Sequence, residues 1–340
     1  MKILLLQLKR IGDLILTTPA IAALRESFPE AQLTLVVSNE CADLLPAISN
    51  VDRILIARRN LRDLTLFFTV AARKFDYCVD FTRNDRSASL AFLSGAHKRV
   101  VSYRVREQSK TRARGYTDFV SVRMRDTHTI DYNLALVKPL GAHDDSTAPR
   151  LNLPQMAYEK ADALRRDWKV TRPYMILHPG SARQEKLWDP GRWAEVIECF
   201  GRRNGIDLVL TSGPSRDEQV HIAVIRRKAQ QQIVDLSGKT DLLTLAALIG
   251  QARLLVTVDS APVHLAAATR TPQVILFGPT NPFHWRPRES PAVVLHGKSA
   301  EPVTKFSPVQ PRFSMSQIST EAVISAMDLL LSRHAAARTS

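Results

Sequence analysis

Cysteine is scarce in this chain, and the three present, Cys41, Cys78 and Cys199, are scattered and never in CxxC spacing. Such a set excludes a disulfide framework and a paired-cysteine zinc site, and it fits a reducing compartment. The nine histidines never fall at metal-ligand spacing with carboxylates, so no built-in metal and no cofactor are expected. Nowhere is there an uninterrupted apolar run of the roughly 20 residues that a membrane-spanning helix needs. Lys9 and Arg10 break the N-terminal apolar run too early for a signal-peptide core, so a soluble, cytoplasmic protein is expected. Two nucleotide-binding signatures are also missing. No GxGxxG follows the first apolar strand and no Walker A loop occurs, which argues against a conventional nicotinamide site or P-loop.

What the chain does have is length and alternation. At 340 residues and 45% hydrophobic it exceeds the size at which one core stops growing, so two domains are expected. Near-continuous apolar strands at 3–8, 32–37, 53–56, 77–81 and 99–103 alternate with helical stretches at 14–26, 62–73 and 86–93. Strands that are apolar throughout belong to parallel sheets covered on both faces. Residues 141–154, GAHDDSTAPRLNLP, have linker composition. Beyond them the alternation restarts, with strands at 175–177, 207–210, 233–235, 254–258 and 273–277 and helices at 190–203, 217–228 and 242–249. The expected fold class is α/β, with two successive doubly wound, Rossmann-like domains (1–150 and 151–315) whose parallel sheets face an interdomain cleft. Residues 316–333 have the apolar spacing of a helix that packs one face, and the segment 316–340 is expected to pack back on the first domain.

The net charge is +14, shared evenly between the halves. Its local expression is a cluster of Lys98, Arg99, Arg104, Arg106, Lys110, Arg112, Arg114, Arg123 and Arg125, opposed only by Glu107 and Asp118. One reading is a solvated loop with protected edge strands. The other is a landing site for a polyanion such as a phosphorylated sugar or an anionic lipid headgroup. Nucleic acid is disfavoured, because no helix-turn-helix, zinc finger or aromatic RNA-binding signature accompanies the charge.

The segment 254–282 carries the densest signal. A buried strand ends at Val258, Asp259 and Ser260 suit a helix start, an Ala-rich helix follows, and a second strand ends in Gly278-Pro279-Thr280. Strand ends and a helix N-terminus at the carboxyl rim of a parallel sheet form a natural anion site, with a diphosphate as the obvious guest. Two other rims add candidates. The first strand runs into Lys9-Arg10-Ile11-Gly12-Asp13, where Gly12 permits a sharp turn and Asp13 is either a helix cap or a general base. His178-Pro179-Gly180-Ser181 ends another strand, with Gly180 allowing close backbone approach to a phosphate and Lys186 offering a charge. Asp217 and Glu218, after Ser212-Gly213-Pro214, are either ribose ligands or first-turn helix acids. Thr240, ahead of the helix at 242–249, is a further substrate-binding candidate. Asp259, Ser260 and His264 do not make a hydrolase triad, because Ser260 lacks a GxSxG elbow and His264 lies one helical turn along.

Lys9-Arg10-Ile11-Gly12-Asp13 with Thr17-Thr18-Pro19, His178-Pro179-Gly180-Ser181 with Lys186 and Trp188, Asp259-Ser260-Ala261-Pro262-Val263-His264, and Phe277-Gly278-Pro279-Thr280 together resemble the ADP-heptose:lipopolysaccharide heptosyltransferases of glycosyltransferase family 9. The Asp259 motif and His284-Trp285-Arg286-Pro287 are most similar to the heptosyltransferase III branch. The resemblance implies a GT-B fold and metal-independent, inverting transfer of heptose from ADP-L-glycero-D-manno-heptose to the inner core of lipopolysaccharide. It implies Asp13 as the base, Gly12 and Thr17 near the acceptor, and Gly180, Ser181 and Lys186 on the donor diphosphate. Asp217, less surely Glu218, would bind the ribose, Asp259 the heptose, and Ser260, Ala261 and His264 the phosphates. Relatives carry Thr-Gly where this chain has Ser260-Ala261, which keeps a hydroxyl and adds a methyl. Such a monomer would work peripherally at the cytoplasmic face of the inner membrane, its basic run meeting an acidic core. The alternatives are a GT-B enzyme using another nucleotide-sugar and a non-catalytic binder of anionic glycan.

Overall fold

The computed structural model describes residues 1–60, 63–143, 146–201, 205–298 and 301–336. The chain divides into two compact units, Met1–Asn152 and Leu153–Ser340. In the first, the strands β1 (Lys2–Gln7), β2 (Gln32–Ser38), β3 (Arg53–Ala57), β4 (Tyr77–Asp80), β5 (Lys98–Ser102) and β6 (Asp118–Val120) pair in parallel in the order β3-β2-β1-β4-β5-β6. Ile3, Leu4, Leu5 and Leu6 are fully buried, as a strand covered by helices on both faces requires. Each contributes roughly 1.5–3 kcal/mol through burial. The chain leaves β1 outward to β2 and β3, then returns on the other side of β1 as β4. That reversal parts the loops after β1 and β4 to opposite faces and opens a crevice at their carboxyl ends.

The helix expected at 14–26 is two helices, Ile11–Ile15 and Thr18–Ser27. Pro19 is the cause: it has no N–H for the carbonyl of Ile15, so one helix ends there and another starts with Pro19 in its first turn. Of the helix expected at 62–73, Asp63–Arg73 is observed and Arg62 lies outside the described residues. The helix Thr129–Val137 was not legible because it is buried nearly all round, with Thr129, Tyr132 and Asn133 among its core residues. That mixture erases the apolar period.

The second unit repeats the plan with β7 (Tyr174–His178), β8 (Asp207–Leu210), β9 (Val234–Asp235), β10 (Leu254–Val258), β11 (Gln273–Phe277) and β12 (Ala292–His296), ordered β12-β11-β10-β7-β8-β9. Here the reversal lies between β7 and β10. β6 and β12 were not anticipated; β6 is a short, half-buried edge, and β12 follows a Pro- and polar-rich stretch that masks it. The helix expected at 190–203 is observed as Pro190–Gly201, and Arg202 and Arg203 lie outside the described residues. The helix Gln155–Asp167 buries only Ala157 and Ala161, side chains too small to mark an apolar stripe.

The C-terminal helix Thr320–Ala336 sets Ala322, Val323, Ala326, Met327 and Leu330 into the core of the second unit. Trp188 Nε1 donates to the Ile318 carbonyl at 3.0 Å just ahead of it, and Trp188 stacks edge-on with buried Trp193. Among the described residues, no helix is long and apolar enough to cross a membrane.

Candidate active site

In the first unit, Asp13 stands at the β1 side of the crevice. Arg10, not Asp13, is the helix N-cap, and it makes no side-chain cap bond, so the capping role falls away. Asp13 occupies the third helical position with its side chain 15% exposed and the Lys9 Nζ 3.8 Å from Oδ1. That distance makes an ion pair but not a hydrogen bond. Burial pushes the Asp13 carboxyl above its ordinary range, with the Lys9 charge pulling against it. Burial likewise holds the Lys9 ammonium below its ordinary range. The pair is therefore a poorly solvated acid with a loosely held counter-charge, and the upward shift makes its carboxylate a stronger base.

Gly12 and Thr17 serve differently from what the sequence suggested. Gly12 lies inside the first helical turn, where its carbonyl accepts from the Leu16 N–H, and it has no positive φ that a sharp turn would require. Thr17 is fully buried. Its hydroxyl donates to the Asp13 carbonyl at 2.7 Å and accepts from Gln7 Nε2 at 2.7 Å and Asn133 Nδ2 at 3.2 Å. A saturated, inaccessible hydroxyl cannot meet substrate; Thr17 instead ties the Asp13 helix to β1 and to the helix Thr129–Val137.

Two residues at the end of β4 and in the loop beyond it, Asp80 and Arg83, were missed. Asp80, fully buried, accepts from Ser87 Oγ at 2.6 Å, the Thr82 N–H at 2.7 Å, the Arg83 N–H and the Tyr116 hydroxyl. Arg83 projects from the loop it clamps, and Lys9 is close enough to feel the charges of Asp13, Arg83 and Asp80. The only sequence signal was a polar run after an apolar strand; that β4 neighbours β1 is a fact of topology.

The basic cluster separates into two classes. Lys98 bonds the Pro139 carbonyl, Arg99 the Gly115 and Ala96 carbonyls, and Arg112 the Asp85 carboxylate. Arg106 stacks 3.9 Å from the Phe119 ring centroid, and Arg123 and Arg125 pair with Glu107 and Asp126. Arg104, Lys110 and Arg114 are left without a side-chain partner among the described residues.

In the second unit, the β7/β10 crevice holds most of the remaining candidates. Lys186 reaches across from the loop after β7 to place Nζ 2.6 Å from Asp259 Oδ2 and 3.0 Å from the Asp259 carbonyl. The two side chains are 13% and 7% exposed. Thr280, after β11, donates to the same Oδ2 at 2.6 Å. Lys186 is thus neither an exposed loop lysine nor a free point charge. An ammonium has three donors, so one remains for a ligand, as does Asp259 Oδ1. Thr280 belongs to this group although only its place in the Gly278-Pro279-Thr280 strand end had marked it.

The helix Ala261–Ala268 begins beside this pair. Ser260 is its N-cap but makes no side-chain cap bond, its hydroxyl donating instead to the Val258 carbonyl at 3.3 Å; Ala261 is the first helical residue. The helix N-terminus is therefore left open with its positive dipole end toward the crevice. His264, 5% exposed, has an Nδ1 with no partner among the described residues. Burial lowers its pKa to about 4, with Asp259 opposing and Lys186 reinforcing the shift, so the ring is neutral at pH 7. His178 is neutral for the same reason, at about 4, and its Nδ1 lies 2.9 Å from Thr211 Oγ1.

Glu218, not Asp217, is the built-in acid of the neighbouring loop. Ser215 caps the helix Arg216–Lys228, and its hydroxyl donates to Glu218 Oε2 at 2.7 Å while accepting from the Glu218 N–H at 3.3 Å. A Cβ on Gly180 would fall 2.3 Å from Glu218 Oε1, and one on Gly213 would fall 2.5 Å from Oε2. Both glycines are needed for this carboxylate to sit against two strand-end loops. Asp217 is exposed, and Gln184 Nε2 donates to its Oδ2 at 3.3 Å. Ser181 is buried, its hydroxyl accepting from the Arg183 N–H at 3.2 Å. Thr240 stands half-exposed beside Asp241, the cap of the helix Leu242–Gln251, in the loop after β9 at the far edge of the sheet.

Residues 64–311 match glycosyltransferase family 9 (heptosyltransferase). The chain belongs to that family. Its matched stretch contains Lys186, Glu218, Asp259 and His264 and begins after Asp13, whose role therefore rests on geometry. Among relatives of this family 9 chain is the lipopolysaccharide heptosyltransferase 3 of Escherichia coli, 29% identical over 94% of this chain and 95% of the relative. Solved structures agree in fold. The glycosyl transferase family 9 protein of Veillonella parvula superposes with a TM-score of 0.84 at 25% identity, covering 98% of this chain and 97% of that one. The ADP-heptose lps heptosyltransferase II of E. coli gives 0.79 at 20% identity, covering 98% and 99%. The fold is accordingly the GT-B arrangement of two Rossmann-like units.

Proposed function

We propose that this family 9 chain transfers heptose from ADP-heptose to the inner core of lipopolysaccharide, with inversion, without a metal and in the manner of a heptosyltransferase III. The observation that carries the reading is the Lys186–Asp259 pair beside an uncapped helix N-terminus at the β7/β10 crevice, a site made for a diphosphate that leaves with negative charge. The named activity of the E. coli relative supports the sugar and the acceptor.

In this reaction Asp13 takes the proton of an acceptor hydroxyl. The freed oxygen forms a bond to the anomeric carbon from the face opposite ADP, and the anomeric C–O bond to the β-phosphate breaks with its electron pair leaving on ADP. The free N–H of Lys186 and the helix dipole stabilise that charge, so transfer needs no Lewis acid. Asp259 Oδ1 accepts from a heptose hydroxyl, Ser181 and Gly180 line the phosphates, and Glu218 accepts from the ribose. The neutral His264 ring donates or accepts a hydrogen bond without adding charge. The chain acts as a peripheral monomer, with Lys110 and Arg114 free to meet an anionic membrane face.

Purified protein given ADP-heptose, UDP-sugars or GDP-sugars, with heptose-containing core acceptor and with or without EDTA, tests this reading. Heptosyl transfer only from ADP-heptose, unaffected by EDTA and inverted at the new anomeric centre by NMR, is expected. Transfer from a UDP- or GDP-sugar, or glycan binding without transfer, overturns it. In a strain lacking the protein, loss of one branch heptose supports the III-like assignment, and loss of the whole outer core replaces it with a main-chain role.

A further inference from the structure

We propose that Arg83 reads the acceptor, binding a carboxylate or phosphate on the sugar that presents its hydroxyl to Asp13. The inference rests on the transferase reading above and adds to it a residue that makes acidity of the acceptor a requirement.

The placement is topological. β1 and β4 are neighbours with Leu6 paired to Asp80, so Lys9 and Arg83 each lie three residues beyond a matched pair, on the two sides of the first unit's crevice. Arg83 holds a φ of 67°, a left-handed conformation uncommon for a residue other than glycine. Asp80 imposes it: both of its carboxylate oxygens lie 3.2 Å from the Arg83 N–H, and they also accept from Thr82, Ser87 and Tyr116. The Asp80 carboxylate is thus occupied by the loop and does not serve the guanidinium.

The guanidinium itself is propped on the Tyr132 ring, 5.3 Å from the centroid. Its Nε and Nη1 are buried and have no acceptor among the described residues. An arginine stays charged when buried, and buried N–H groups without acceptors are strongly disfavoured unless a ligand supplies one. Asp13, the other carboxylate of the crevice, is matched to Lys9. The loop therefore holds an unpaired guanidinium where a parallel sheet binds its ligand, with Nη2 the nitrogen not closed off by the protein, and an anionic oxygen is what satisfies it.

The variant R83G tests this directly, since glycine adopts a φ of 67° readily and the loop keeps its shape. Core acceptor is used in native, enzymatically dephosphorylated and carboxyl-reduced forms, with KM from transfer assays and affinity from calorimetry without donor. In the wild type, one of the two neutralised acceptors is expected to lose at least tenfold in affinity, which identifies the anion as phosphate or carboxylate. In R83G, native acceptor is expected to lose the same factor while the neutralised one is unchanged and the KM for ADP-heptose stays put. R83K, which keeps the charge but not the planar guanidinium, is expected to fall between and carries the same readout if R83G melts early. Equal loss for all acceptors, or no loss, overturns the proposal. Calorimetry separates it from the transferase reading: an Arg83-dependent preference for acidic glycan without transfer would leave the inference standing and sink that reading.

Discussion

Lys186 and Asp259 are joined across the β7/β10 crevice by a 2.6 Å ion pair although 73 residues apart in sequence. Their side chains are 13% and 7% exposed, so neither charge can be removed singly without leaving the other in a poorly solvated place. K186M is expected to cost about 3 kcal/mol of stability and D259N a similar amount, with the double variant recovering part of the sum. Thermal unfolding of the four proteins measures the coupling. Both single variants are expected to lose ADP affinity, and additive losses in stability would show that the pair is not a unit.

Asp13 titrates above the ordinary carboxylate value of 3.8 because burial disfavours its charged form. Only the carboxylate can accept a proton, so kcat/KM rises with pH through the raised pKa and is lost on the acid side of it. The acid limb of the pH profile is expected above that ordinary value. D13N removes the limb and lowers kcat by about 10²- to 10⁴-fold while ADP affinity survives. A D13N profile that keeps both rate and limb would show that another group is the base.

His178 and His264 are each held near pKa 4 by burial, against an ordinary value of 6.5. Between those values the unfolded chain binds more protons than the folded one, so stability rises with pH across this window. Their contribution is complete above about pH 6.5 and is lost as pH falls toward 4. Melting temperatures of the second unit should drop over that range, and H264N should flatten the slope. Equal slopes in wild type and H264N would place the acid sensitivity elsewhere.

Gly180 gives way to Glu218, whose Oε1 lies 2.3 Å from where a Cβ would stand. G180A should push the carboxylate off the capping Ser215 hydroxyl at about 1 kcal/mol and weaken donor binding. Adding E218A to G180A should restore the melting temperature toward that of E218A alone, because the clash is then gone, while donor affinity stays low. If G180A binds ADP-heptose as well as wild type does, Glu218 is not a donor ligand.

Asp13 and Thr17 show what a linear reading can and cannot see. Both stand in a polar stretch after a buried strand, and both looked like ligands. Whether a hydroxyl faces substrate or core depends on which helix covers it, and it is Asn133, 116 residues away, that closes over Thr17. Asp217 and Glu218 make the same point at closer range. One residue apart on a helix, they point in directions about 100° apart, and only the positions of Gly180 and Gly213 decide which is buried.

Local chemistry sufficed for the two parallel-sheet units, most of their strands and the polar strand ends, because continuous apolar runs and the glycine, proline and acid signals at their ends act over a few residues. Strand order is not local. Which loops share a crevice follows from β4 returning beside β1 and β10 beside β7, and only that return joins Lys186 to Asp259 and sets Arg83 opposite Lys9. The C-terminal helix shows the same limit, since its apolar stripe specified that it must pack and the shape of the second core decided where.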